Sequence, residues 1–227
     1  FMGEVKDQRG CASCYAMAFT QVAEARLRYK TGGDVPTLSP QHVLQCNFMT
    51  EGCTGGWAVM NGFFAENGGL VAEDCAPYTA VTKGQSCSDY AKCPSIAKVT
   101  RSYELKDQNE LQLKQEMLKN GPIVVDWYQP PSARAYSSGI FKGDGGGAGF
   151  GSSIVPNHAS VLLGWGETGL DTSKDQDKSE SAANQGEKYW ILRNSFGPDF
   201  GMKGDMLIET GSFGIGGTIS GFDVDFV

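Results

Sequence analysis

Gln8-Arg9-Gly10-Cys11-Ala12-Ser13-Cys14-Tyr15-Ala16 is the stretch around which the rest of the chain is ordered. Two cysteines, two small residues apart, open a run in which Met17, Phe19, Val22, Ala23, Ala25 and Leu27 are interleaved with Glu24, Arg26, Arg28 and Lys30, and Gly32-Gly33 follows. The spacing predicts one long amphipathic helix over 14–30 that stops at the glycines. Cys14 then stands at a helix N-terminus, where unpaired backbone N–H groups and the positive end of the dipole favour the thiolate, the nucleophilic form. Position alone makes Cys14 a candidate nucleophile. A redox pair and half of a zinc site are the other uses of C-x-x-C. Neither fits well: residues 5–10 are polar and turn-like rather than a strand of a βαβ unit, and neither of the two histidines stands in a partner motif for zinc.

The 227 residues can bury the core of one large domain or of two small ones. A net charge of −7 with no basic stripe argues against nucleic acid as a partner. Apolar runs such as Ile123-Val124-Val125 fall far short of the roughly 20 residues a spanning helix needs, so a soluble chain with no membrane partner is expected. Seven cysteines are an odd set. With Cys14 set aside, Cys11, Cys46, Cys53, Cys75, Cys87 and Cys93 form an even one, which fits disulfides and an oxidising site: the secretory pathway, a lysosome or vacuole, or secretion. A cytosolic chain with buried free thiols is the alternative. The chain begins at Phe1 without a signal-peptide pattern, as a processed or partial chain does.

Along the chain, Ser39-Pro40-Gln41 is a capping signal for a short helix that ends at Cys46, and residues 57–67 form a third helical run closed by Gly68-Gly69. Residues 75–94 are loop-rich. After a change of pattern near 99–105 comes one more helix, 109–120, and then β-branched and aromatic runs at 123–127, 158–165, 189–194 and 206–209. The chain therefore reads as α+β, with a mainly helical part, 1–103, carrying the nucleophile and a mainly β part, 104–227. Residues 143–153 and 168–187 read as exposed loops.

A thiol nucleophile needs a base and a group to orient that base. His158 lies at the mouth of an apolar strand, in Val155-Pro156-Asn157-His158-Ala159-Ser160, and is the candidate base. His42, inside a helix beside Cys46, reads as a surface or capping residue. Asn194, in Leu192-Arg193-Asn194-Ser195-Phe196-Gly197, is the candidate orienter, since an amide oxygen can accept an imidazole N–H without adding a negative charge.

Cys11-Ala12-Ser13-Cys14-Tyr15 resembles the papain and cathepsin cysteine peptidases, whose local signature is Cys-Gly-Ser/Ala-Cys-Trp/Tyr, with Ala12 in the glycine position. The likeness covers nearly the whole chain, with separated motifs in the family's order. It implies a papain-like two-domain fold, a helical left domain and a β-barrel-like right domain with the active site in the cleft between. It implies peptide hydrolysis through a thioester acyl-enzyme, peptide or protein substrates, and no required cofactor or metal. Gln8, six residues before Cys14, matches the side-chain amide that works with the nucleophile's backbone N–H as an oxyanion hole. Phe196 stands where the family has a tryptophan over the Asn–His bond. Gly55-Gly56 matches the pair whose backbone binds the peptide as an extra strand. Trp57, Ala58, Asn157 and Ala159 would line the pocket for the second residue before the cut, and all four are equally compatible with a place in the core.

Within the family the likeness is greatest to the cathepsin C branch of dipeptidyl peptidases, through Leu38-Ser39-Pro40-Gln41, residues 69–79, Cys87, Cys93 and Gly216. That branch implies bridges Cys11–Cys53, Cys46–Cys87 and Cys75–Cys93 with Cys14 free. It also implies a chloride at Tyr78, although Val59 replaces the second chloride tyrosine, and a propeptide or exclusion domain as partner. A cathepsin-like endopeptidase is the first alternative. An inactive papain-like scaffold subunit, suggested by Phe196 and Phe200 in place of larger rings, is the second.

Overall fold

The computed structural model describes residues 2–142, 155–169 and 186–227; the loop predicted at 143–153 and most of the one at 168–187 lie outside them. Four helices and eight strands run in the order α1 (Cys14–Thr31), α2 (Pro40–Cys46), α3 (Ala58–Gly68), β1 (Leu70–Val71), β2 (Ser95–Lys106), α4 (Glu110–Asn120), β3 (Ile123–Trp127), β4 (Ile140–Phe141), β5 (His158–Glu167), β6 (Lys188–Arg193), β7 (Asp205–Glu209) and β8 (Thr218–Phe226) among the described residues.

Helix α1 is more deeply set than its charge pattern predicts. Every residue from Tyr15 to Leu27 is buried, so Glu24 and Arg26, expected in solvent, are inside the protein, while Lys30 in the last turn stays exposed. Buried charges persist only when paired and hydrogen-bonded. Glu24 is held by Lys6 at 2.9 Å and Arg28 at 3.5 Å and accepts the Leu38 N–H, while Arg26 donates to the carbonyls of Pro122 and Phe222. The helix stops where predicted: Gly32 takes φ 67°, which glycine adopts at little cost, and its N–H closes on Arg28 O. Ser39 caps α2 by accepting the His42 N–H, and Asn109 and Gln112 form a reciprocal capping box on α4. On α3, Gly62 lets the helix lie flat on the sheet, since a Cβ there would come within 2.1 Å of Ser102 Oγ and 2.6 Å of the Phe222 ring.

The strands join in the order β1-β2-β8-β3-β5-β6-β7-β4, antiparallel except for the β4–β7 pair. Strand β3 is the wall between two cores. Val124 packs with Phe19, Val22 and Phe222 on the α1 side, whereas Ile123, Val125 and Trp127 pack with Trp190, Leu192 and Ile219 on the other. This is the two-residue period of a strand, and it puts Asp126 on the Val124 side. The sequence boundary at 103/104 falls inside β2. Each part also lends a segment to the other: β8 brings Phe222 edge-on to Phe19 at 4.8 Å, and near the N-terminus the Gln8 N–H donates to Ser195 O.

Disulfides join Cys11 to Cys53, Cys46 to Cys87 and Cys75 to Cys93, and Cys14 is the free cysteine. Two of them tie down residues 75–94, where one short 3-10 turn, Cys87–Tyr90, is the sole helical element. His42 is not on the surface as expected. It is buried against the Phe64 ring, 5.5 Å away, and burial pulls its pKa down to about 4. Among the described residues no helix is long and apolar enough to cross a membrane.

Candidate active site

Cys14 is the first residue of α1. Ser13 before it does not cap the helix with its side chain, because Ser13 Oγ is paired with the Tyr78 hydroxyl at 2.6 Å; that hydroxyl in turn donates to Gln8 O at 2.9 Å. In the first turn the Ala16 and Met17 N–H groups close on Ser13 O, and those of Cys14 and Tyr15 are left for the sulfur. Cys14 has some exposure to the cleft, yet the atoms packed around it withdraw the thiol from water and push its pKa up to about 11. Hydrogen bonds from the backbone N–H groups of Ala159, Tyr15 and Cys14 itself pull it back, and the charge of Asp126 adds to the rise. At this thiol, withdrawal from water therefore works against the helix N-terminus, whose N–H groups offset only part of it.

His158 opens β5 and is buried. Its Nε2 lies 2.8 Å from Asn194 Oδ1, and the same oxygen accepts the Ser195 N–H at 2.9 Å. An oxygen accepting a backbone N–H is fixed as the acceptor end of the amide, so Nε2 carries the proton and Nδ1 is left as the basic nitrogen. The Phe196 ring stacks on the imidazole at 5.2 Å and 20°, and the Trp127 ring meets it edge-on at 5.8 Å. Burial pulls the His158 pKa down to about 4; the bond to Asn194 opposes this and the charge of Arg134 adds to it.

Gln8 is clamped at both ends of its amide. Oε1 accepts from Ser195 Oγ at 2.6 Å, and Nε2 donates to Cys11 O at 3.0 Å. One N–H of the amide is left for a ligand.

Two pockets flank the Cys14–His158 pair. One, of about 250 Å³, brings together Gly55, Gly56, Trp57, Asn157 and Ala159. Gly55 has φ 141° with nothing within 4 Å of where a Cβ would be, which leaves its backbone open to a bound chain. Trp57 is half exposed. The Asn157 side chain is engaged on both sides by the Gln129 backbone, at 2.7 and 3.1 Å. Ala58 does not join the pocket: it is fully buried in the core at the start of α3. The other pocket, of about 560 Å³, lies toward Gln8, Gln129, Arg134 and Phe196. Among the described residues no cluster of His, Cys, Asp and Glu is placed to hold a metal.

Two residues of the site escaped the sequence reading. Ser195 locks Gln8 through Oγ, and nothing in a lone serine announces that. Asp126 lines the first pocket, and its signal was present: a carboxylate in the otherwise apolar run Ile123-Val124-Val125-Asp126-Trp127.

Residues 1–220 match the family described as papain family cysteine protease. The chain is 31% identical over 211 residues to cathepsin K of Gallus gallus, covering 92% of this chain and 55% of that protein. It is also 31% identical over 211 residues to zingipain-2 of Zingiber officinale, covering 90% of this chain and 81% of that protein. It thus spans about half the length of the first relative and most of the second. The bromelain protease from Ananas comosus, solved with the E64 inhibitor, superposes with a TM-score of 0.77 at 27% identity, over 97% of this chain and 93% of that one. A mite-allergen structure of Blo t 1 and Der p 1 shares the fold with a TM-score of 0.81 at 24% identity, over 97% of this chain and 67% of that one. With a matching model over nearly its whole length and this α+β fold, the chain belongs to the papain family of cysteine proteases.

Proposed function

We propose that the chain hydrolyses peptide bonds through a thioester acyl-enzyme, with Cys14 as nucleophile, His158 as base and then acid, Asn194 as its orienter and Gln8 as an oxyanion donor. The observation that carries this is the 2.8 Å bond from His158 Nε2 to Asn194 Oδ1 beside a free thiol in the same cleft. His158 Nδ1 takes the thiol proton as sulfur adds to the scissile carbonyl. The oxyanion is met by the Cys14 N–H and the spare Gln8 N–H, a kind of donor worth about 3–4 kcal/mol where best measured. His158 returns the proton to the leaving amine, and water, deprotonated by the same nitrogen, releases the acid. Phe196 shields the histidine–asparagine bond, and Gly55, Gly56, Trp57, Asn157 and Ala159 bind the substrate. The division of labour follows the chain, with the nucleophile in 1–103 and the histidine and asparagine in 104–227.

The cutting mode is a finer assignment. Pockets on both sides of Cys14 support an endopeptidase groove. Dipeptide release in the manner of cathepsin C is the second reading, favoured by residues 69–79 and the six bridged cysteines, and it needs an exclusion domain or propeptide across the groove. A chloride at Tyr78 draws no support, because its hydroxyl is already taken by Ser13 and Gln8. Three disulfides support a secreted, lysosomal or vacuolar site. Labelling with a thiol-directed epoxide tests the whole reading: the adduct should map to Cys14, and Cys14→Ala should abolish both adduct and hydrolysis. An adduct elsewhere, or hydrolysis that survives Cys14→Ala, overturns it.

A further inference from the structure

We propose that Asp126 makes the pocket beside Cys14 selective for a cationic side chain, arginine or lysine, on the acyl side of the scissile bond. The inference rests on the peptidase reading and names the substrate class of that site. Asp126 belongs to β3, where the alternation that sends Ile123, Val125 and Trp127 into one core turns Val124 and Asp126 toward α1. Val124 meets the helix, and one residue pair further on Asp126 reaches the pocket lined by Gly55, Trp57 and Ala159. The residue is 6% exposed, and no hydrogen bond or ion pair reaches its carboxyl among the described residues.

An unpaired carboxylate so deeply set is costly, and the cost is offset only when a partner arrives. The partner has to enter through the cleft. Asp126 pairs across the sheet with Ala159 of β5 and Thr218 of β8, both uncharged. The titratable groups around it are Cys14 from α1, His158 from β5 and Glu104 from β2, none of them a lysine or arginine. Burial first, and the charge of Glu104 second, raise the Asp126 pKa to about 7. The carboxyl is thus held close to ionisation, and a guanidinium or ammonium beside it pulls the pKa down and completes the ion pair. A guanidinium can bond both carboxylate oxygens at once. The chain's net charge of −7 draws such substrates in.

The test compares N-blocked fluorogenic peptides carrying arginine or citrulline, which has arginine's shape without its charge, at the first or second residue before the cut, at about pH 8 where Asp126 is ionised. At one of the two positions arginine should exceed citrulline in kcat/KM by about ten- to hundredfold. Equal rates at both positions overturn the proposal. In Asp126→Asn the arginine-to-citrulline ratio should fall to about one, and a ratio that persists overturns it as well. Should that variant fold poorly, the wild-type comparison already decides. Binding of the same peptides to Cys14→Ala separates the two readings. Arginine-selective binding without wild-type hydrolysis of either the N-blocked peptides or their free-amine twins sinks the peptidase reading and keeps the pocket; equal binding of both peptides sinks the pocket alone.

Discussion

His158 and Asn194 are joined by a 2.8 Å bond from ring Nε2 to amide Oδ1, and the Ser195 N–H holds that oxygen in place. The bond fixes the tautomer in which Nδ1 is basic. Replacing Asn194 with alanine should free the ring to turn or to carry its proton on the wrong nitrogen, at a cost of about a hundredfold in kcat with a smaller change in KM. Steady-state kinetics on a short peptide checks it, and a kcat within twofold of the parent contradicts the orienting role.

The second prediction concerns protonation. Burial pushes Cys14 up to about 11 and His158 down to about 4, so between these values the pair holds one proton between them, and that is the competent form. Activity should therefore run as a broad bell, rising through an acid limb near pH 4 as His158 loses its proton and falling on an alkaline limb toward 11 as the pair loses its last one. With a citrulline substrate, which does not call on the Asp126 charge, an acid limb above pH 6 in kcat/KM would contradict this ordering.

Stability should show the same burial with a definite sign. His42 and His158 both titrate near 4 in the folded chain, against about 6.5 when unfolded, so the unfolded chain binds more protons between these values. Their contribution to stability is present above about pH 6.5 and is lost as pH falls toward 4. Asp126 works the other way: with its pKa raised to about 7 from an ordinary 3.8, it favours the fold below 3.8 and that advantage disappears as pH rises through 7. His42→Phe should flatten the loss of Tm between pH 6.5 and 4, since a second ring beside Phe64 removes the proton without leaving a void. Tm measured across that range decides, and an unchanged slope contradicts the assignment.

The Cys11–Cys53 bridge should matter to catalysis beyond its mechanical share. It closes 42 residues between the nucleophile's loop and the Gly55–Gly56 loop, and the Ala12 N–H donates to Cys53 O while Cys11 O takes the Gln8 amide. Replacing both cysteines with serine should cost about 2–5 kcal/mol of stability, and it should lower kcat as the Gln8 amide loses its anchor. The Cys75–Cys93 pair, which makes none of these contacts itself, should cost stability with a smaller change in kcat. Unreduced peptide mapping checks the pairing itself, and any bridge that includes Cys14 removes the nucleophile.

What the sequence made legible follows from how local each signal is. Helix α1 was read from one periodic run and a glycine stop, and α2 and α4 from capping residues within three positions of their starts. Strands β3, β5, β6 and β7 were read from compact apolar runs. Strand β8 was not, because Ser220, Gly221, Asp223 and Asp225 dilute its apolar residues, and its place is set by β2 and β3 on either side. The burial of Glu24 and Arg26 was equally hidden, since the partners that permit it, Lys6, Pro122 and Phe222, are distant in sequence. Residue types and register placed Cys14, His158, Asn194 and Gln8 on one list; only the folded chain gives Cys14, His158 and Gln8 one pocket with Asn194 bonded to the histidine, and only it sets the balance by which burial outweighs the helix N-terminus at the thiol.

The cutting mode is decided by the substrate's amino end. A groove with pockets on both sides of Cys14 accepts chain in either direction, so N-blocked peptides should be cut at least as well as free-amine dipeptide reporters by the 227-residue chain. The cathepsin C-like reading makes the opposite demand. A segment lying across the groove would stop the substrate after two residues, and a carboxylate on it would pair the free ammonium, whose burial is costly without such a partner. Dipeptide reporters that differ in one blocking group therefore separate the two readings, provided both are assayed on the bare chain and on material purified with its propeptide or any companion chain. A preference for the blocked substrate in both preparations leaves the endopeptidase. A strict need for the free amine in the second preparation establishes dipeptide release and assigns it to the added segment, because the groove itself is the same in both.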